Sequence, residues 1–197
     1  MKSIQFKSMF FMAMMVVLVI GCTKDSDASV DTPLNTLFAE NFNDSDLTTN
    51  GWITYAQTGT KQWSEGIYKG DGYAQFSSYN SGSPINVAWL ISPALNMDTQ
   101  SGEKLYFQSC QDGYVHSIDN SLELYVSSDY DGVNFNNASW EKVNFTGPTQ
   151  DSTRYVYVNS GFIDLSKYTG TLHFAFKVKG TTSLSGGYQV DNVRVFY

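Results

Sequence analysis

"TLHFAFKVKG", residues 171–180, sets Leu172, Phe174, Phe176 and Val178 on one side of an extended chain and Thr171, His173, Lys177 and Lys179 on the other. Side chains of a strand point alternately to opposite faces, so this stretch predicts a strand with one dry and one wet face. "LYFQS" repeats the pattern through Leu105 and Phe107, and "SLELYVSS" through Leu122, Leu124 and Val126. "VAWLIS", residues 87–92, is apolar on both faces and stops at Pro93, which suits a strand covered from both sides. Gly, Asn, Asp, Ser and Pro clusters separate these runs, and helical periodicity is scarce after residue 37. About ten strands joined by loops of variable length predict an all-β fold, an antiparallel two-sheet jelly-roll sandwich, with an immunoglobulin-like topology as the alternative.

The chain begins differently. "MKSIQFKSMFFMAMMVVLVIGC" places Lys2 and Lys7 ahead of an apolar run from Met9 to Ile20. That run is shorter than the roughly 20 residues of a spanning helix and reads as a secretory signal over residues 1–21. Val19-Ile20-Gly21-Cys22 resembles the lipobox of bacterial lipoproteins, which implies lipidation of Cys22; a plain signal with an incidental Cys22 is the alternative. Residues 22–36 are polar and predict a flexible tether. Lys24-Asp25-Ser26-Asp27 resembles the acidic signal that sends some lipoproteins to the outer face of the outer membrane. The sandwich domain is expected over residues 37–197, long enough for one sizeable core.

Formal net charge is -7, and loss of Lys2 and Lys7 with the leader makes it more negative still. Nucleic acid and anionic membrane surfaces are therefore poor partners. Apart from Cys22 only Cys110 is present, so no intrachain disulfide is expected in an oxidising compartment.

Two acids interrupt apolar faces. In "LFAENF", Glu40 falls between Phe38 and Phe42; in "VDNVRVF", Asp191 shares its alternation with Val193 and Val195. An ionised carboxylate in apolar surroundings needs a partner or shifts its pKa. Arg154, Arg194 or a lysine supplies one in a first reading, and a β-bulge turns an acid away in a second. In a third reading the two acids hold calcium, which takes six to eight oxygen ligands. Asp119 and Asn120, immediately before the strand "SLELYV", are then further candidates. With no His or Cys constellation, zinc is a poor fit.

Phe38-x-Glu40-x-Phe42, Gly51-Trp52, Trp63, Tyr73, "WLISPAL" at 89–95, "DNSLELYVSSDYDG" at 119–132, Trp140 and "VDNVRV" at 190–195 occur in an order that resembles the choice-of-anchor J domain. That group is related to cleaved-adhesin domains and, more distantly, to MAM domains. The resemblance spans residues 37–197. It implies a jelly roll with a structural calcium near the first and last strands, with Glu40 and Asp191 at the metal positions and Asp119 or Asn120 as an additional ligand.

Other signals are weaker. "SSDYDGVNFNNASW" spaces Asp129, Asp131 and Asn134 as in a calcium loop but lacks its terminal Glu, so a turn is the better reading. Trp52, Trp89 and Trp140 are expected in the core. Trp63, Tyr68, Tyr73 and Tyr79 lie in a Gly- and Ser-rich stretch and are the candidates for a displayed ligand-binding group. No paired acids mark a hydrolase, and nothing ties Cys110 to His116 or His173. The expectation is a non-catalytic, calcium-stabilised surface lipoprotein module that binds an extracellular glycan or protein. An anchored polysaccharide hydrolase and a structural subunit of a surface assembly are the alternatives.

Overall fold

The structure is a computed structural model that describes residues 34–112, 119–149, 152–183 and 186–197. Cys22, the leader and His116 lie outside them. The described residues form thirteen strands and one 3-10 turn, Phe135–Asn137. The predicted strands recur as β5 (Ile85–Ile91), β7 (Lys104–Asp112), β8 (Ser121–Ser127) and β12 (Thr171–Thr181). The fold is an antiparallel two-sheet sandwich of jelly-roll type.

The first sheet runs β10 (Val158–Asn159), β7, β13 (Gly187–Phe196), β4 (Asp71–Ser77), β3 (Ser64–Tyr68). β1 (Thr36–Glu40) joins it on β13, and β11 (Ile163–Asp164) on β7. The second runs β2 (Ile53–Thr58), β5, β12, β8, β9 (Glu141–Val143), with β6 (Leu95–Asn96) on β12. Along one edge β13 changes partner: Gly187–Val190 pair with β4, whereas Val193, Arg194, Val195 and Phe196 pair with β1. Its pairing with β7 slips between Asp191 and Arg194 at the same place.

The alternating apolar residues of the two sheets meet between them. Leu105, Phe107, Leu122, Leu124, Val126, Leu172, Phe174, Phe176 and Val178 all belong to one buried cluster. Trp52 stands at its centre, with ring centroids 5.4 Å from Phe42, 5.7 Å from Phe174 and 5.9 Å from Phe38. Burying each such side chain contributes about 1.5–3 kcal/mol. "VAWLIS" is apolar on both faces for a reason now visible. Ala88 and Leu90 enter this core, while Trp89 and Ile91 enter a second cluster on the outside of the second sheet, with Tyr130 and Ala175. Phe135 and Trp140 pack against that layer.

Candidate functional site

Strand β13 does not keep the alternation its sequence suggests. Tyr188, Val190, Val193 and Val195 all face the core, so the phase advances by one residue between 190 and 193. Asn192 absorbs the step at φ +52°, a left-handed conformation that Asn tolerates better than most residues. Asp191 consequently leaves the row of Val193 and Val195 and joins that of Gln189 on the opposite face. This is the bulge reading, and it corrects the expectation that Asp191 lies among valines. The side chain remains buried, at 4 % exposure. The N–H of Asn192 donates to Oδ1, and the Asn192 amide donates to Oδ2 at 2.9 Å. Burial pushes Asp191 up to about 6; the Asn192 N–H and Arg194 oppose this, while Asp71 and Glu40 add to it.

Glu40 does point inward, at 6 % exposure, as its alternation predicts. Its Oε1 accepts the N–H groups of Asn41 (2.8 Å) and Phe42 (2.7 Å), and Oε2 accepts the Trp52 indole N–H at 3.2 Å. An ionised carboxylate accepts about four hydrogen bonds, so about one position on Oε2 remains. Arg194 donates to the Glu40 backbone carbonyl at 2.9 Å and to Asn41 Oδ1, not to the Glu40 carboxylate. The partner expected among arginines is thus the chain's own backbone and a tryptophan.

Asp119 and Asn120 lie elsewhere. Asn120 Oδ1 accepts from Thr181 N at 3.0 Å, and Asp119 pairs with Lys179 at 3.8 Å. Among the described residues no three His, Cys, Asp or Glu side chains converge as a metal cluster would. Glu40, Asp191 and Asp119 therefore do not form a three-acid cluster, and Asn120 sits with Asp119 at the end of β12.

A different acid has the character of a cation ligand. Glu65, opposite Ala74 and so on the core side of β3, has both carboxylate oxygens buried with no donor at full hydrogen-bond distance, the Asp46 N–H making only a weak approach. Burial pushes it up to about 7, with Asp44 and then Glu40 adding to the rise and the Asp46 N–H opposing it. Two lone carboxylate oxygens near further acids fit a hard cation in donor chemistry. Full coordination there requires backbone or amide oxygens of the 40–46 segment. That segment is pressed against β4. The Gly72 N–H donates to Asn43 Oδ1 at 2.7 Å, and a Cβ on Gly72 would stand 1.9 Å from the Phe42 carbonyl oxygen.

Over the outer face of the first sheet runs a groove of about 560 Å3 lined by Tyr68, Asp71, Tyr73, Gln75, Asp112, Tyr155, Tyr157 and Gln189. Tyr68 and Tyr155, on its two rims, are 64 % and 52 % exposed. Lys69 lies 5.2 Å over the Tyr68 ring and Arg154 lies 5.5 Å over that of Tyr155. Arg154 also donates to Asp112 at 2.7 Å. The Tyr73 ring and the Gln75 amide lie over Gly66, where a Cβ would meet them at 2.7 and 2.8 Å. Gln189 Oε1 accepts from Tyr157 (3.0 Å) and Cys110 (3.3 Å), which turns its amide N–H groups to other uses.

Tyr68 and Tyr73, two of the expected aromatics, are therefore on the groove. Trp63 is not: it is 3 % exposed and packs in the core against Phe76 at 6.2 Å. Tyr79 is exposed but lies off the groove lining. Tyr155, Tyr157, Gln189, Glu65 and Asp44 are the residues sequence reasoning missed, because only the strand order β10-β7-β13-β4-β3 and the fold of the 40–46 segment bring them into place.

The remaining candidates have structural roles. Asp131 accepts from the backbone N–H and side-chain amide of Asn134 and from the Val133 N–H, which hold it down at about 2, and Asp129 accepts from Ser127 and Ser139. This is the expected turn. Glu123 pairs with Lys142 and Lys177. Burial pushes the Cys110 thiol up to about 12, far from a reactive thiolate. His173 bonds the Ser92 carbonyl through Nδ1 at 2.8 Å.

No family model and no curated protein matches the chain. Solved structures do. The K1 cleaved adhesin domain of Lys-gingipain from Porphyromonas gingivalis W83 matches with a TM-score of 0.56 at 23 % identity, over 82 % of this chain and 98 % of that one. The K3 cleaved adhesin domain of the same protein matches at 0.57 and 19 %, over 83 % and 100 %. The carbohydrate-binding module TmCBM61, solved with beta-1,4-galactotriose, matches at 0.50 and 12 %, over 82 % and 98 %. At these identities what is shared is the β-sandwich fold, and the domain's structural neighbours are adhesin and carbohydrate-binding modules.

Proposed function

We propose that the domain is a non-catalytic glycan-binding module of the choice-of-anchor J type, held at the outer face of the outer membrane by a lipid on Cys22. The observation that carries the binding reading is the groove. Two exposed tyrosines face it from opposite rims, and amides and a carboxylate lie between them. Aromatic faces beside hydroxyl-bonding groups suit sugar rings, whose apolar faces stack while their edges bond. The structural likeness to TmCBM61, which was solved with beta-1,4-galactotriose, supports the same reading. A glycan array probed with wild type and with a Tyr68→Ala/Tyr155→Ala variant tests it. Retention of one polysaccharide class by wild type and its loss in the variant are expected. Equal retention by both would overturn the groove as the site, and turnover of a retained polysaccharide would overturn the non-catalytic reading.

The same proposal includes calcium as a structural ion, with ligands reassigned from the expected set. Glu65 would hold it, with backbone and amide oxygens of the 40–46 segment completing the coordination. Bound there, calcium supplies positive charge to an acid-rich pocket and links the 40–46 segment to β3. Thermal unfolding with excess calcium and with chelator is the measurement. A melting temperature raised by calcium in wild type and unmoved in Glu65→Gln is expected, since a ligand of the native state stabilises by mass action. No response to calcium in wild type would refute it. For the anchor, metabolic labelling with an alkyne fatty acid should mark wild type and leave Cys22→Ser unlabelled.

A further inference from the structure

We infer that the groove selects a segment of a neutral glycan chain laid across the strands, and rejects uronic-acid and other polyanionic glycans. This rests on the glycan reading above and adds the class of ligand.

The direction follows from the strand order. Tyr68 ends β3 at one edge of the sheet, and Tyr155 precedes β10 at the other. A ligand that touches both crosses four inter-strand spacings, about 19 Å, and also runs obliquely along the strands, because Tyr68 pairs with Asp71 whereas Tyr155 bonds Gln111, which is level with Tyr188 and Phe76. That span and the cavity of about 560 Å3 accommodate a chain of about three or four pyranose rings. A single sugar reaches only one platform.

The charge selection follows from how the rim cations are used. Arg154 is paired with Asp112 at 2.7 Å and also lies over Tyr155. Lys69 lies over the Tyr68 ring. Neither forms an ion pair with Asp71 among the described residues, so the Asp71 carboxylate lines the groove without a countercharge. Asp71 and the amides of Gln75 and Gln189 together provide acceptors and donors for hydroxyl groups, which neutral sugars carry in adjacent pairs. A glycan carboxylate placed there meets Asp71 in a chain whose formal net charge is -7.

Isothermal titration with length-matched neutral oligosaccharides (gluco-, galacto-, manno- and xylo-series) and oligogalacturonides decides the matter. For the neutral series retained by wild type, a tetrasaccharide should bind at least about tenfold tighter than the disaccharide, about 1.4 kcal/mol. Oligogalacturonide of the same length should bind at least about tenfold more weakly, and raised salt should narrow that gap by screening the repulsion. Asp71→Asn should narrow it too, mainly by strengthening the oligogalacturonide, since the amide keeps an oxygen acceptor and loses the charge. Oligogalacturonide binding as tightly as the neutral chain overturns the inference, as does a disaccharide that binds as tightly as a tetrasaccharide. A different outcome marks failure of the underlying reading: no oligosaccharide of either class binds, and Tyr68→Ala changes nothing.

Discussion

Replacing Glu40 by Ala separates a structural acceptor from a metal ligand. Its carboxylate takes three donors: the N–H groups of Asn41 and Phe42 and the indole N–H of Trp52. The Phe42 and Trp52 bonds are buried, and both residues belong to the central aromatic cluster. After truncation those two donors have no acceptor, at about 1–3 kcal/mol each. The half-buried Asn41 N–H finds water at little loss. A total of about 3–4 kcal/mol is expected, a large part of the 5–15 kcal/mol typical of a domain. For a domain of this size that lowers the melting temperature by about 6–16 °C. Because the three donors are part of the chain, the deficit must persist in excess chelator. A ligand whose only role is to hold calcium would show its deficit with calcium and lose it with chelator. Scanning calorimetry of wild type and Glu40→Ala in both conditions makes the comparison. A variant that melts within about 2 °C of wild type in chelator would refute the assignment of Glu40 as an acceptor for its own backbone and Trp52.

Glu65 gives a pH dependence of definite sign. Its native value of about 7 lies above the ordinary 4.5, so the folded chain holds a proton the unfolded chain has released. Stability is then full below about pH 4.5 and falls as pH rises through 7. The ceiling is about 3 kcal/mol, which solvent screening reduces to about 1 kcal/mol. Melts in chelator should therefore drop by about 2–4 °C between pH 5 and pH 8, and Glu65→Gln should flatten that slope. Gly72→Ala places a Cβ 1.9 Å from the Phe42 carbonyl and should cost at least about 3 kcal/mol in urea unfolding; a near-neutral variant would mean the 40–46 segment does not press on β4. Gly66→Ala should displace the Tyr73 ring and Gln75 amide, weakening oligosaccharide binding about tenfold while leaving the melting temperature within about 3 °C of wild type. Cys110, buried and high in pKa, should react with a thiol reagent only after denaturant unfolds the domain.

The strands were legible because burial of one face imposes period two on the sequence. Leu105 and Phe107, Leu122 to Val126, and Leu172 to Val178 all face the core as that period requires. Glu40 was legible in direction but not in partner, since backbone N–H donors leave no trace in a side-chain pattern. Asp191 was misplaced by extending one alternation through a residue that breaks it. The cue was Asn192, one of the few residue types at ease with positive φ. Trp63 was misplaced because its glycine-rich surroundings suggested exposure. Gly66 instead makes room for Tyr73 and Gln75, and Gly70 serves the turn between β3 and β4 at φ +87°. The groove had no local signature, because its tyrosines come from segments some eighty residues apart.

The break in β13 ties these features together. A strand that gives up β4 for β1 halfway along one edge leaves a place where neither partner's ladder satisfies the chain. The bulge at Asp191 and Asn192 fills it: Asn192 donates to Asp191 and to Gln108 on β7, and Arg194 bonds the carbonyls of Glu40 and Val193. Polar groups buried at such a junction must be bonded, which accounts for acids and amides in a strand otherwise built from valines. The consequence reaches both faces of the sheet. On the inner side, the β1 end brings Glu40 and the 40–46 segment toward Glu65; on the outer side, the unshifted half of β13 aligns Gln189 with Gln75 and Cys110 across the groove floor. An apparent error of patterning in "VDNVRVF" is therefore the point at which one strand serves the proposed cation pocket and the ligand groove at once.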